Sequence, residues 1–353
     1  MTAHSALLPR RIVTGSGSLK KIPEVIAELG IAKKPFLVVD ETTKDICGDD
    51  IFDSLKNARM GVIKDSTFDE VDNIIHLSKG SSCIVSAGGG KVLDVGKLAA
   101  HRTGIPFVSV PTAPSHDGIS SSITVIRQDG RHNSVEATMP LAIVADTDII
   151  AKAPAKLIAA GCGDIMAKIT AVRDWKLARA RGEPYSEAAA GFSLLSTKII
   201  MDSAAEIAKK SEAGINDLVL ALITSGSAMS LFGSSRPGSG SEHLFAHALD
   251  QLGSKALHGE AAGIGAIIMA YWQEKNSKDS AVRNSGVWRK IAETLKTVGA
   301  PTTFKEAGIE PEAAYQAIVD APKVRERHTI LNEFPIKDAA AAQKICAAAG
   351  LLG

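Results

Sequence analysis

The chain has 353 residues, with 40 lysines and arginines against 39 aspartates and glutamates, for a formal net charge of +1. Apolar residues make up 45% and charged residues 22%, a globular balance that excludes a disordered or low-complexity chain. A near-neutral chain also lacks the Lys/Arg surplus that binds phosphate backbones, so no nucleic-acid partner is expected.

In chain order, residues 18–29 carry helical spacing and residues 35–40, ending in Asp40, read as a strand. A helical pattern at 69–78 precedes a strand at 83–87, and one at 92–100 precedes a strand at 106–110. Residues 123–126 followed by Asp129-Gly130 have the composition of a hairpin, because Asp-Gly suits a tight turn. A further strand is expected at 141–145. The unbroken hydrophobicity of these strands predicts burial on both faces, as in a parallel sheet, and their alternation with helices predicts βαβ units. After about residue 150 the chain turns Ala-rich, with helices expected at 165–180, 193–209, 216–232, 242–252 and 259–275. The expected architecture is an α/β, Rossmann-like N-terminal domain with a parallel sheet over 1–150 and an all-helical C-terminal domain over 151–353. An active-site cleft is expected between them. The longest apolar helical segment, 261–272, is too short to span a bilayer, so no membrane span is expected.

The cysteines Cys47, Cys83, Cys162 and Cys346 are scattered and form no CxxC pair, which argues against a disulfide scaffold or a Cys-rich metal site. Residues 1–10 lack a basic start followed by a long apolar region. A reducing, cytoplasmic location is expected.

Four segments can carry chemistry. Gly88-Gly89-Gly90-Lys91 joins a strand to a helix beginning Val92-Leu93-Asp94. Such a turn lets backbone approach a ligand, and the helix N-terminus favours a pyrophosphate; the same residues also suit a tight strand-to-helix turn. Asp94 can reach a ribose or nicotinamide group, or complement the helix dipole. Asp40, at a strand end, suits ribose hydroxyls or a surface turn. Thr112-Ala113-Pro114-Ser115-His116-Asp117-Gly118, with Ser121 beyond, emerges from the carboxyl end of a strand, where α/β ligands bind. The third is a candidate metal set. Asp164 is read at a helix start, and three of the nine histidines, His243, His247 and His258, fall between 242 and 259. His243 and His247 share a helix face but lack the Glu of HExxH, and two imidazoles with a carboxylate leave a coordination position open, as catalytic zinc requires. Each histidine alone also suits a hydrogen-bonded core or surface position. The fourth, residues 234–241, holds Arg236 among small residues before a helix and reads as an anion cradle, in which Arg236 can bind a phosphate bidentately. Its serines also suit a capped loop.

Together these segments resemble the sn-glycerol-1-phosphate dehydrogenases known from archaeal-type membrane phospholipid synthesis, within the wider iron-containing alcohol dehydrogenase, glycerol dehydrogenase and dehydroquinate synthase group. The triple glycine marks the wider group. Residues 114–121, Gly161-Cys162-Gly163-Asp164 and Ser241-Glu242-His243 mark the narrower branch. The resemblance implies Zn2+ on Asp164, His243 and His258; a His/carboxylate donor set also accepts Ni2+ or Fe2+. It implies that Asp117, Asp164 and His247 meet the substrate, and that residues 90–94, 112–115 and Ser121 meet NAD(H) or NADP(H). His328 stands where the related motif has Tyr. The implied reaction is reversible reduction of dihydroxyacetone phosphate to sn-glycerol 1-phosphate, with His247 or water on the metal carrying the proton. The rivals are a glycerol or other polyol dehydrogenase, a dehydroquinate-synthase-like lyase, and a non-catalytic nucleotide-binding module with a structural metal. The lyase branch resembles the pattern PTT…DSSVGGKT, whereas here Asp117 is followed by Gly118-Ile119-Ser120-Ser121, with no GGKT. A homo-oligomer is expected, since Ala-rich helices readily hide an interface.

Overall fold

A computed structural model describes residues 6–31, 34–128 and 131–352. Six parallel strands form one sheet in the order β1-β8-β5-β4-β2-β3. The four inner strands are β2 (Pro35–Asp40), β4 (Cys83–Gly88), β5 (Phe107–Pro111) and β8 (Ala142–Asp146). They are the four apolar runs legible in the sequence, and nearly every residue in them is buried. The two edge strands, β1 (Arg11–Gly15) and β3 (Arg59–Ile63), were not expected. Each is partly exposed, so neither carries the continuous apolar run of a covered strand. Strands β6 (Ile123–Gln128) and β7 (Arg131–Glu136) pair antiparallel as a separate ribbon. The expected Asp129-Gly130 turn between them lies outside the described residues.

The strand order fixes where a ligand can sit. From β2 the chain passes to β3 on one side, then crosses back to β4 and β5 on the other. The order therefore reverses between β2 and β4, and the crevice beyond their carboxyl ends is where open α/β sheets bind ligands. Gly88 pairs with Pro111 across β4 and β5, so the glycine turn and the loop after β5 emerge side by side.

Among the described residues, eleven helices have ten residues or more. In chain order they are α1 (Phe68–Leu77), α2 (Gly90–Thr103), α3 (Ala155–Met166), α4 (Lys168–Arg179), α5 (Glu187–Ala208) and α6 (Glu212–Phe232). They continue as α7 (Ser241–Gln251), α8 (His258–Asn276), α9 (Val287–Thr297), α10 (Pro311–Val324) and α11 (Ala339–Ala348). The helix expected at 165–180 is α4, which begins at Lys168; α3 before it was not expected, and Asp164 lies in the last turn of α3 rather than at a helix start. The longest apolar segment is also not 261–272. Helix α6 has the length and composition to cross a membrane, but 67% of its apolar window is buried inside the fold. Its neighbours in the fold cover most of that window.

One apolar core runs through both halves of the molecule. Leu93, Ile119, Ile143 and Ala145 from the sheet side join Ile158, Cys162, Leu218, Phe245 and Ile267 from the helices. Buried Cys162 is part of it, and burial pushes its thiol up to about 12, so it is a small apolar residue rather than a nucleophile.

Helices α3 and α8 touch backbone to backbone. A Cβ on Gly163 would lie 2.2 Å from the carbonyl oxygen of Gly259, and one on Gly259 would lie 1.9 Å from that of Ala160. Only hydrogen fits at both positions. This contact sets Asp164, next to Gly163, against His258, next to Gly259. Gly163→Ala should therefore force the helices apart, lowering stability by about 1–3 kcal/mol, as overpacking does. It should also weaken metal binding at the junction. Urea unfolding paired with metal titration checks this, and an unchanged metal affinity would show that the junction does not set the site.

Candidate active site

A cleft of about 610 Å³ opens between the sheet's carboxyl edge and the helical half. Its walls include Gly90, Lys91, Asp94, His116, Asp117 and Ser121 from one side, and Asp164, Lys168, His243, His247 and His258 from the other.

The ligating atoms of Asp164, His243 and His258 lie within 4.8 Å of one another. Three elements converge to make this set: the end of α3, the first turn of α7 and the first residue of α8. His243 donates from Nδ1 to Glu242 Oε1 at 2.8 Å, which leaves Nε2 aimed at Asp164 Oδ1, 3.3 Å away. Glu242 is itself held by Thr170 Oγ1 at 2.8 Å and by the N–H of Gly240 at 2.6 Å. A carboxylate behind a ligating imidazole fixes its tautomer and raises its basicity. His258 is the member exposed to the cleft. Protein packed around its other faces, and then the nearby His243 and His247, hold its imidazole well below the ordinary value. It is thus neutral, as a metal ligand must be. Two nitrogens and an oxygen on rigid helices, with a side open to a cleft, fit a divalent metal with a free coordination position.

Beneath this set lies a buried charge triad. Lys168 Nζ donates to Asp164 Oδ1 at 2.8 Å and lies 3.0 Å from Asp117 Oδ2. Asp117 also accepts from Ser225 Oγ at 2.8 Å, and its N–H donates to Asp164 Oδ2 at 2.9 Å. Burial pushes Asp164 upward, but Lys168 and His243 outweigh it and hold the carboxyl well below its usual range. Burial likewise lowers Lys168, and the two carboxylates more than reverse that. His247 is one turn beyond His243, with its ring centroid 5.6 Å from that of His258.

At the sheet edge, none of Gly88, Gly89 and Gly90 takes a left-handed backbone. Their smallness is used sterically. A Cβ on Gly88 would lie 2.5 Å from that of Val92, and one on Gly90 would lie 2.6 Å from His116 Nε2. At Gly89 nothing lies within 4 Å. Gly89 at the N-cap of α2 makes no side-chain cap, so among the described residues the first-turn N–H groups are left for a ligand. Asp94 is buried, accepts from the Val125 N–H at 3.1 Å through Oδ2, and has no hydrogen-bond partner for Oδ1 among the described residues. That orphaned acceptor lines the cleft and matches a hydroxyl or amide donor of a dinucleotide. Lys97, wholly buried 3.8 Å away, donates to the carbonyls of Gly118 at 2.6 Å and Ile123 at 3.0 Å, pinning the Asp117 loop to α2.

The remaining sequence candidates divide. Ser121 lines the cleft, whereas the side chains of Val92 and Leu93 are buried in apolar cores and can offer only backbone. Thr112 and Ala113 are buried in the loop beside the glycine turn, with Pro114 and Ser115 following them, and the Thr112 N–H donates to Gly88 O at 3.1 Å. Asp40 ends β2 and caps the next helical turn by accepting from the Thr43 N–H at 2.8 Å; its other oxygen lies 4.0 Å from Lys91 Nζ. Arg236 is a correction. Its guanidinium is taken up by Glu183, with Nε donating to Oε2 at 2.9 Å, and by the His328 carbonyl at 2.9 Å, and it does not line the cleft. The helix start after it is not an open cradle either. The Gly240 N–H goes to Glu242, and the Ser241 N–H to Asp174 Oδ2 at 2.7 Å.

Lys97, Asp174, Glu242 and Ser225 were not singled out as site residues. Lys97 left a readable trace, a lone cation in the otherwise apolar run 95–100. Asp174 left none. It gathers the N–H groups of Ser241 and Ile330 and the amide of Gln273, joining segments 67 to 156 residues away. Burial, and then Glu242, push it up to about 6.

A glycine turn at the sheet's carboxyl edge and a His/carboxylate set thus face one cleft. Residues 13–154 match the iron-containing alcohol dehydrogenase family. The chain is 42% identical to glycerol-1-phosphate dehydrogenase (NAD(P)+) of Thermococcus kodakarensis over 94% of this chain and 93% of that one. It is 44% identical to the Pyrococcus furiosus enzyme of the same name, over 93% of this chain and 94% of that one. In fold it is similar to a probable glycerol dehydrogenase from Sinorhizobium meliloti, with a TM-score of 0.78 at 20% identity over 98% of both chains. It is also similar to glycerol dehydrogenase from Schizosaccharomyces pombe, with a TM-score of 0.79 at 18% identity over 99% of this chain and 91% of that one. The chain belongs to the glycerol-1-phosphate dehydrogenase (NAD(P)+) family of oxidoreductases.

Proposed function

We propose that the chain catalyses the reversible reduction of dihydroxyacetone phosphate to sn-glycerol 1-phosphate with NADH or NADPH, making the backbone of archaeal-type membrane phospholipids. The carrying observation is that Asp164, His243 and His258 converge on the cleft that also receives the glycine turn of α2, in a chain 42% and 44% identical to the Thermococcus kodakarensis and Pyrococcus furiosus glycerol-1-phosphate dehydrogenases. We assign Asp164, His243 and His258 as the ligands of one Zn2+, a donor set that also accepts Ni2+ or Fe2+. When bound, the metal supplies a Lewis acid for the substrate's C2 carbonyl oxygen, and the nicotinamide supplies the hydride.

The chain's own residues do the rest. The first-turn amides of α2 receive the pyrophosphate, Asp94 Oδ1 accepts from the ribose or the nicotinamide amide, and Asp40 lies where the second ribose falls. Asp117, held by Lys168 and Ser225, orients the substrate's hydroxyl. His247, on the His243 face of α7, exchanges the proton at the C2 oxygen. Met229, Ala246 and Leu249 on the cleft wall exclude water from these groups.

The test is oxidation of NADH or NADPH by the metal-loaded protein with dihydroxyacetone phosphate, followed by chiral analysis of the product. The sn-glycerol 1-phosphate enantiomer is expected, and dihydroxyacetone should react far more slowly. Equal rates on the two ketones would move the assignment to a polyol dehydrogenase.

A further inference from the structure

The cleft wall carries four cations, Lys91, Arg127, Lys168 and Arg325. Three have carboxylate partners: Asp40 for Lys91, Asp65 for Arg127, and Asp117 with Asp164 for Lys168. Arg325 has none among the described residues. Its one hydrogen bond among the described residues is a long one, Nη1 to Ser235 Oγ at 3.5 Å. A cleft-facing guanidinium without a counter-ion is a site for an anion from outside the protein.

Its surroundings are built for that purpose. Arg325 follows directly on α10 in extended backbone, at the head of the strap 325–329. The far end of the strap is fixed where the Ile330 N–H donates to Asp174 Oδ1 at 3.0 Å. Beneath it, Arg327 donates to Ser235 Oγ at 2.8 Å and to the Ser239 carbonyl. Burial, and then the neighbouring Arg325 and Arg236, push the Arg327 guanidinium down to about 10. Arg236 is paired with Glu183, so the strap and the 234–241 loop bring three guanidiniums together near one paired carboxylate. The same loop reaches the substrate end of the cleft. A Cβ on Gly238 would lie 3.7 Å from Asp117 Oδ2, and Ser235, Gly238 and Ser239 line the wall beside Arg325.

We propose that Arg325, backed by Arg327 and the Ser235–Ser239 loop, is the subsite for the substrate's phosphate. This rests on the phosphorylated-ketone reading above. It gives the strap a specificity role: Arg325 grips the phosphate while the carbonyl lies toward Asp164, His243 and His258. Arg236 fixes the loop from behind.

The test compares wild type, Arg325→Ala, Arg325→Gln and Arg325→Lys in two measurements on the metal-loaded enzyme. The first is the ratio of kcat/KM for dihydroxyacetone phosphate to that for dihydroxyacetone. The second is calorimetric binding of inorganic phosphate. Alanine and glutamine should lower the ratio and the phosphate affinity by roughly 10- to 100-fold, the scale of a charge-assisted hydrogen-bonded pair. Lysine should restore part of both. If wild type reduces dihydroxyacetone phosphate and the variants change neither quantity, the subsite is wrong while the function stands. If wild type does not reduce the ketone but binds phosphate through Arg325, the function is wrong while the anion subsite stands. A rise in the KM for NADPH without a change in either quantity assigns Arg325 to the cofactor and overturns the proposal.

Discussion

His243→Ala is expected to leave the protein folded, metal-free and inactive. The substitution removes one of three ligands and leaves Asp164 and His258. Loss of an outer-shell partner alone lowers metal affinity by about 10- to 100-fold, so loss of a ligand should exceed roughly 100-fold. A Lewis acid contributes several kcal/mol to such a step, and each 1.4 kcal/mol is tenfold in rate, so kcat should fall by about 10³ or more. Folding should survive, because Glu242 keeps its bonds to Thr170 and Gly240. Metal analysis after dialysis, circular dichroism and kcat give the three readings. A metal-replete and fully active variant would refute the ligand assignment.

Lys168→Met should act on stability as strongly as His243→Ala acts on rate. The ammonium is 1% exposed and lies between two carboxylates that are 2% and 12% exposed. Methionine fills much of the volume but leaves Asp117 and Asp164 facing each other in a buried site. Removing one partner of a buried ion pair lowers stability by about 3–5 kcal/mol, because the remaining charge stays desolvated. The loss is read as a lower urea midpoint at unchanged slope. A bound metal should restore part of it by neutralising Asp164, so the loss should be larger after chelation. A loss below about 1 kcal/mol in the chelated protein would mean that Lys168 does not bridge the two carboxylates.

The sequence by itself determined the inner sheet, because β2, β4, β5 and β8 are covered on both faces and must be apolar throughout. It also determined the glycine turn and the HxxxH face of α7, since those signals depend only on spacing along one element. It did not yield β1 and β3, whose edge positions relax the apolar demand, nor α3, the helix that carries Asp164. Tertiary structure alone decided which polar residues meet. Asp164 and His258 are brought together by a backbone contact between Gly163 and Gly259, 96 positions apart in the numbering. Arg236, promising in its Ser/Gly loop, is turned away by Glu183, which lies 53 residues before it. Arg325 reaches the cleft only because α10 ends there and Asp174 ties down the strap beyond it. Local pattern specifies an element because its burial is periodic. The partner of a buried charge is specified by the path of the chain, which no local window contains.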